Sequence, residues 1–379
     1  MYFKKQQGEL FLIYKKIKNN FFIRLLLSTG SIFYFLAYKT RLLFYKLGFF
    51  KTTKVSSIVI SIGNITCGGT GKTPLTIEIA KYLINKGFKV AVLSRGYKRK
   101  ITDNKSKKNV LVSDGEEILT DAEQSGDEPY LIAKNVPKAI VLSGRDRIQT
   151  AQSAIKLGAN ILILDDGFQY LKLHRDENIL ILDEENPYDN GYLLPAGELR
   201  ELPDSIKRAT SIVLSNSRNT ALKTETLNKI KKHVPNKPTI EMSYRIKSLK
   251  GMNIVKTINP NEIKDKKVIV FSGIGNPQLF SNSLIEAGLD ILEHIIFSDH
   301  HNYKFEDISK IINIAKQHNI ENIVTTEKDA VKIDYFREGA PVTFWHSVLE
   351  ITWNTSNPFE KILSVVNVPQ KSIGLKVNQ

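Results

Sequence analysis

Residues 21–38 form an almost unbroken apolar run whose only charge is Arg24. Lys15, Lys16 and Lys18 precede it, and Lys39, Arg41 and Lys46 follow it. From Ser57 onward the texture changes to short buried-strand runs alternating with amphipathic stretches. Residues 58–62, 90–93, 139–142, 161–164, 179–182 and 211–214 carry the compact, β-branched or aliphatic signature of strands covered on both faces. Residues 74–86 place Ile77, Ala80, Leu83 and Ile84 at helical spacing and stop at Gly87, and residues 146–157 read as a helix closed by Gly158. Strands alternating with helices predict an α/β fold with a mostly parallel sheet and helices on both faces.

A second α/β set follows a linker-like passage at residues 247–267. Strands are predicted at 268–271, 323–325 and 342–345, and helices at 278–287 and 305–317. The organisation expected is a membrane-associating helical segment (1–54), a P-loop NTPase core (55–250) and a smaller C-terminal α/β lobe (251–379), with a ligand site between the lobes.

The chemistry begins after the first predicted strand. Gly68-Gly69-Thr70-Gly71-Lys72-Thr73 sits between that strand and the helix opening at Pro74. Glycines there let backbone N–H groups close round phosphate oxygens, the helix N-terminus favours negative charge, Lys72 neutralises a transferring phosphate, and Thr73 offers its hydroxyl to Mg²⁺. The strict pattern wants glycine at position 66, where the chain has Thr66. Asp165 and Asp166 end another strand, where carboxylates hold Mg²⁺ opposite the loop; strand-end turn chemistry is the competing explanation.

Composition narrows the setting. The chain of 379 residues carries a net charge of +15. Nine Lys, two Arg and one acid in residues 1–54 supply about ten of those excess charges. Basic residues flanking an apolar run suit an anionic bilayer better than nucleic acid. Eighteen apolar residues are short for a span and both flanks are basic, so a shallow or re-entrant hairpin is expected, with a pair of buried core helices as the alternative. No small-residue cleavage site follows the run, which excludes a signal peptide. The single cysteine, Cys67, excludes an intramolecular disulfide and a cysteine-based zinc site and fits a reducing compartment. His300 and His301 are adjacent, which suits a single metal poorly, and His174, His294, His318 and His346 are isolated.

Several stretches together resemble the lipid A 4′-kinase (tetraacyldisaccharide 4′-kinase) family. They are Gly63-Asn64 running into the P-loop, Ser94-Arg-Gly-Tyr97, Gly126-Asp-Glu-Pro129, Gly144-Arg-Asp-Arg147, Asp165-Asp-Gly-Phe-Gln169, Leu194-Pro-Ala-Gly-Glu-Leu-Arg-Glu201, Ser298-Asp-His-His301 and Thr326-Glu-Lys-Asp329. Their order and spacing match over nearly the whole chain, and Thr66 is shared by the family's own loop. The resemblance implies transfer of the γ-phosphate of ATP, with Mg²⁺, to the 4′-hydroxyl of a tetraacylated glucosamine disaccharide 1-phosphate at the cytoplasmic face of the bacterial inner membrane, without an obligate protein partner. It implies that Lys72 and Thr73 bind phosphate and metal, that Asp165, Asp166 and Glu201 serve the metal region, and that Asp127 acts on the sugar hydroxyl with help from His300. Glu128 and Arg200 are implied as neighbours. After Gln169 the family commonly has His-Arg, where this chain has Tyr170-Leu171.

Read from the residues alone, Asp127 before Glu-Pro is equally an ordinary helix N-cap, and Thr326-Glu-Lys-Asp329 is equally a capped helix start. A membrane-associated P-loop NTPase switching a protein partner is the alternative to the kinase.

Overall fold

A computed structural model describes residues 21–97, 99, 109–216, 220–333 and 341–364. The basic residues at 15, 16 and 18, and all but Arg99 of the basic loop expected at 98–108, lie outside them. The strands are β1 (Ile58–Gly63), β2 (Val90–Ser94), β3 (Asn109–Asp114), β4 (Ile140–Gly144), β5 (Ile161–Asp165), β6 (Glu177–Asp183), β7 (Ser211–Ser215), β8 (Thr239–Gly251), β9 (Thr257–Ile258), β10 (Lys267–Ser272), β11 (Asp290–Ile296), β12 (Asn322–Thr326) and β13 (Thr343–Trp353). The helices used below are α1 (Phe21–Lys46), α2 (Lys72–Asn85), α3 (Ala122–Ser125), α4 (Asp127–Asn135), α5 (Arg147–Lys156), α6 (Thr220–His233), α7 (Pro277–Glu286), α8 (Phe305–Gln317) and α9 (Glu327–Ala330).

Among the described residues the strands form one continuous sheet in the order β11-β10-β12-β13-β8-β7-β6-β1-β5-β2-β4-β3, with β9 beside β8. Pairing is parallel except at β3–β4, β8–β13 and β8–β9. Every residue of β2, β4, β5, β7 and β12 is buried, because helices cover both faces, and this is why those strands read as unbroken apolar runs. Truncating a fully buried side chain such as Leu93 or Ile163 to alanine would cost roughly 2–5 kcal/mol.

The passage expected as a linker is partly strand. The first residues of β8 pair with β7, and the rest pairs antiparallel with β13. Its polar positions alternate with buried Met242, Leu249 and their neighbours, so one face is solvated and the run does not look like a core strand in sequence. The edge strands β3 and β11 escaped the pattern for the same reason, since a half-covered strand lacks the continuous apolar signature.

The length of β8 decides where the two halves meet. Leu214 of β7 pairs with Glu241, whereas Thr326, the last residue of β12, lies beside Ser347, whose partner is Leu249. From Glu241 to Leu249 the strand extends roughly 26 Å. The parallel strands of the second half run opposite to those of the first, so their carboxyl ends point back toward the carboxyl ends of β1, β2, β4 and β5. Ligands in open α/β sheets bind at carboxyl strand ends, and here two such sets face each other.

The N-terminal run corrects the expected hairpin. It is one continuous helix, α1. No proline interrupts it, and its central Gly30 is a contact point: a Cβ there would come within 3.0 Å of Pro195. One side is docked. Ser31 Oγ donates to Leu193 O at 2.8 Å, Tyr34 Oη to Arg200 O at 2.8 Å, and Arg41 Nη2 to Gln169 O at 2.7 Å. The opposite side exposes Phe22, Leu26, Ile32, Phe33 and Leu36, which also overturns the buried core-pair alternative. Among the described residues no helix is long and apolar enough to cross a membrane.

Candidate active site

The P-loop leaves β1 and enters α2. Gly68 and Gly71 have φ of +101° and +86°, the left-handed region that favours glycine. A Cβ on Gly68 or Gly69 would meet nothing within 4 Å, so these backbones face open space able to receive phosphate. Gly71 differs. A Cβ there would collide with Tyr244, whose hydroxyl donates to Gly71 O at 3.3 Å, so β8 buttresses the loop. Gly275, after β10, packs close to Gly69 and brings the second half to the loop as well. A cavity of about 360 Å³ continues from Thr66–Thr70 between Asp183, Asn216, Asn276 and Gln278.

Lys72 Nζ donates to Asn64 Oδ1 at 3.2 Å and lies 3.7 Å from Asp166 Oδ1, while Gln169 Nε2 holds Asn64 O at 2.8 Å. Asp166 is at φ +53°. It takes both Lys72 and Arg200 Nη1, the latter at 2.9 Å. Burial alone would raise Asp166, but Lys72 and Arg200 outweigh it and hold the carboxyl below the usual range. Asp165 moves the other way: burial, then the negative charges of Glu128 and Asp166, push it up to about 7. Thr76 Oγ1 donates to its Oδ1 at 3.2 Å, and Thr73 lies one turn earlier on the same helix face. Arg147 is buried beneath, donating to Gly144 O at 2.9 Å and Asp165 O at 3.1 Å; burial draws it down to about 10, still a cation at neutral pH.

Asp165 is a buried carboxyl crowded by the charges of Glu128 and Asp166, which Lys72 and Arg147 offset only in part. Hard oxygen donors beside a phosphate cradle fit Mg²⁺, which takes one or two carboxylates and completes its shell with phosphate and water. Glu201 turns elsewhere. Buried, it accepts from Arg208 Nη2 at 2.5 Å beside Tyr38, and Arg208 lies over the Phe168 ring.

Asp127 is the first residue of α4, and the N-cap is Gly126, so the carboxylate caps nothing. It reaches into the second half instead. His300 Nδ1 is 3.1 Å from Asp127 Oδ2, and Lys332 Nζ is 3.3 Å from the same oxygen. Burial would raise Asp127, but the His300 hydrogen bond and the charges of Lys332 and Lys328 leave it below the ordinary carboxylate value. Tyr97 stands edge-on to the His300 ring at 5.2 Å. Lys328 Nζ is 3.1 Å from His300 Nε2 and 3.9 Å from Glu128. Glu128 lies 3.9 Å from Lys328 and its negative charge acts on Asp165, so it stands between the two clusters electrostatically.

With this geometry established, comparison with known proteins is decisive. The family model described as tetraacyldisaccharide-1-P 4′-kinase matches residues 23–367. The chain belongs to this family. A tetraacyldisaccharide 4′-kinase from Syntrophus aciditrophicus is 38% identical over 318 residues, covering 82% of this chain and 84% of that protein. One from Halothermothrix orenii is 39% identical over 321 residues, covering 81% and 82%. The crystal structure of LpxK from Aquifex aeolicus in complex with ATP is 30% identical, with a TM-score of 0.71, covering 91% of this chain and 99% of that one.

Within the family frame, the departure at Tyr170 has a local account. Arg147 N donates to the Tyr170 hydroxyl at 3.1 Å, so the tyrosine secures the start of α5. Lys332 escaped the sequence reading, which stopped at Asp329. The available signal was the four-residue spacing from Lys328, which puts both ammonium groups on one side of the α9 turn.

Proposed function

We propose that the chain binds MgATP on its P-loop and places the γ-phosphate on the 4′-hydroxyl of a tetraacylated glucosamine disaccharide 1-phosphate, a step of lipid A biosynthesis, at the cytoplasmic face of the bacterial inner membrane. The observation that carries this reading is the pairing of Asp127 of the P-loop half with His300 of the second half at 3.1 Å, with Glu128 acting on both Lys328 and Asp165. P-loop amides and Lys72 cradle the phosphates. Thr73, Asp165 and Asp166 would hold Mg²⁺, which supplies charge neutralisation on the transferring group. Glu201, implied by the resemblance as a further carboxylate of the metal region, is paired with Arg208. Asp127 accepts the proton of the 4′-hydroxyl as its oxygen bonds to phosphorus and the bond to the β-phosphate bridging oxygen breaks. His300 and Lys332 both engage Oδ2, which leaves Oδ1 to take that proton. The halves act as lobes that divide at β8, with donor on one and part of the acceptor site on the other. The exposed face of α1 lies in the bilayer, so the acylated acceptor reaches the cleft without leaving the membrane.

The test uses γ-labelled ATP with the purified chain and acylated disaccharide 1-phosphate in mixed micelles. Label is expected on the lipid, and Lys72→Ala should abolish it while leaving the circular dichroism spectrum unchanged. Label released only as inorganic phosphate, independent of lipid, would replace this reading with the NTPase switch.

A further inference from the structure

The Asp127–His300 pair is held by two lysines. Thr326 Oγ1 caps α9 by accepting from Asp329 N at 3.0 Å, and Asp329 is fully buried. Asp329 Oδ2 accepts from Gly273 N at 2.9 Å and Thr326 Oγ1 at 2.7 Å, leaving Oδ1 for Lys332 Nζ at 3.1 Å. Lys332, its side chain only 7% exposed, therefore bridges a buried, hydrogen-bonded carboxylate of the second half and Asp127 of the first. A buried ammonium between two carboxylates is stable only while both remain charged and in place.

Lys328 acts on the other partner. An ammonium group has donors and no acceptor, so at 3.1 Å it must donate to His300 Nε2. That nitrogen then carries a lone pair, and the ring's single proton sits on Nδ1, where it donates to Asp127 Oδ2. We infer that Lys328 and Lys332 are positioning residues for this pair: Lys332 holds the Asp127 carboxylate, and Lys328 fixes His300 as the neutral tautomer whose proton faces Asp127. In this arrangement the histidine cannot be the base, because its only free lone pair is occupied. It orients Asp127 and leaves the negative charge on the carboxylate.

The groups facing the pair are known from each packed element. Glu128 lies on α4, Asp299 on the loop before His300, and Lys328, Asp329 and Lys332 on and after α9. Among the described residues the Tyr97 ring stands against His300 and the Tyr303 ring lies under Lys332 Nζ.

The inference rests on Asp127 as the base, and two readouts separate it from that reading. In ¹⁵N-histidine-labelled full-length protein, with the His300 signal identified by its loss in His300→Gln, the Nδ1–H tautomer is expected. Lys328→Met should let Nε2 take up a proton while Asp127 keeps Nδ1–H in place, and lower kcat about tenfold, whereas Lys328→Gln, which still donates, should restore the neutral ring. An Nε2–H ring in the unmodified protein, or a ring indifferent to Lys328→Met, would overturn the Lys328 assignment whatever Asp127 does. For Lys332, the acidic limb of kcat/KM should move to higher pH in Lys332→Met and stay in place in Lys332→Arg, with KM for ATP unchanged. A loss of activity and thermal stability without movement of that limb would make Lys332 merely structural. If Lys332→Met fails to fold with Asp329 left uncompensated, Lys332→Met/Asp329→Asn removes the stranded charge and gives the same readout. An active Asp127→Asn enzyme would sink the base assignment and leave the tautomer measurement standing.

Discussion

Asp127 and His300 are 173 positions apart, in opposite halves of the sheet, and meet at 3.1 Å across the cleft. Lys332 Nζ and Lys328 Nζ hold the two partners, at 3.3 Å from Asp127 Oδ2 and 3.1 Å from His300 Nε2.

Substituting Asp127 tests its role directly. Asp127→Asn is expected to lower kcat by roughly 10²-fold or more and His300→Ala by less, with ATP affinity retained in both. The double variant should be little worse than Asp127→Asn, because groups acting as one unit are not additive. Gly126 is the N-cap, so no capping loss accompanies the substitution. Turnover near that of the unmodified chain in Asp127→Asn would falsify the base assignment.

The exposed face of α1 can be tested without disturbing its docked face. Deleting the helix would also remove the Tyr34 and Arg41 contacts to the site loops, mixing two effects. Leu26→Glu/Phe33→Glu changes residues that are 72% and 69% exposed. Vesicle sedimentation should fall by about tenfold or more, since each substitution replaces buried apolar area with charge, while KM for ATP stays the same. Unchanged sedimentation would move the membrane contact away from this face.

Acid stability should carry the mark of His294. Its ring is bonded to Ser272 Oγ at 2.8 Å and Ser281 Oγ at 2.5 Å, and burial lowers it from 6.5 to about 4. A depressed folded value means that its contribution is fully present above pH 6.5 and is lost as pH falls toward 4. The Tm of the unmodified chain should therefore drop more steeply than that of His294→Gln over this window. Parallel Tm profiles would show that His294 titrates alike in the folded and unfolded chains.

The sequence by itself determined the covered parallel strands, the P-loop with its glycines and Lys72-Thr73, and the family, because each is written in contiguous residues: β-branched runs for strands buried on both faces, glycines for positive φ, motifs for backbone that must approach phosphate. Only the tertiary structure decided three things. Half-covered β3, β8 and β11 lack an unbroken apolar signature, so the long strand that sets the two halves face to face was invisible locally. The apolar N-terminal run is one helix rather than a hairpin because Ser31, Tyr34 and Arg41 find partners on loops more than a hundred residues away. The competition between helix cap and active-site carboxylate at Asp127 has no local answer either. Gly126 at the N-cap sets the capping reading aside, and Asp127 instead meets His300 and Lys332, which follow strands running the other way; such contacts depend on how the sheet pairs through β8 and not on any spacing along the chain.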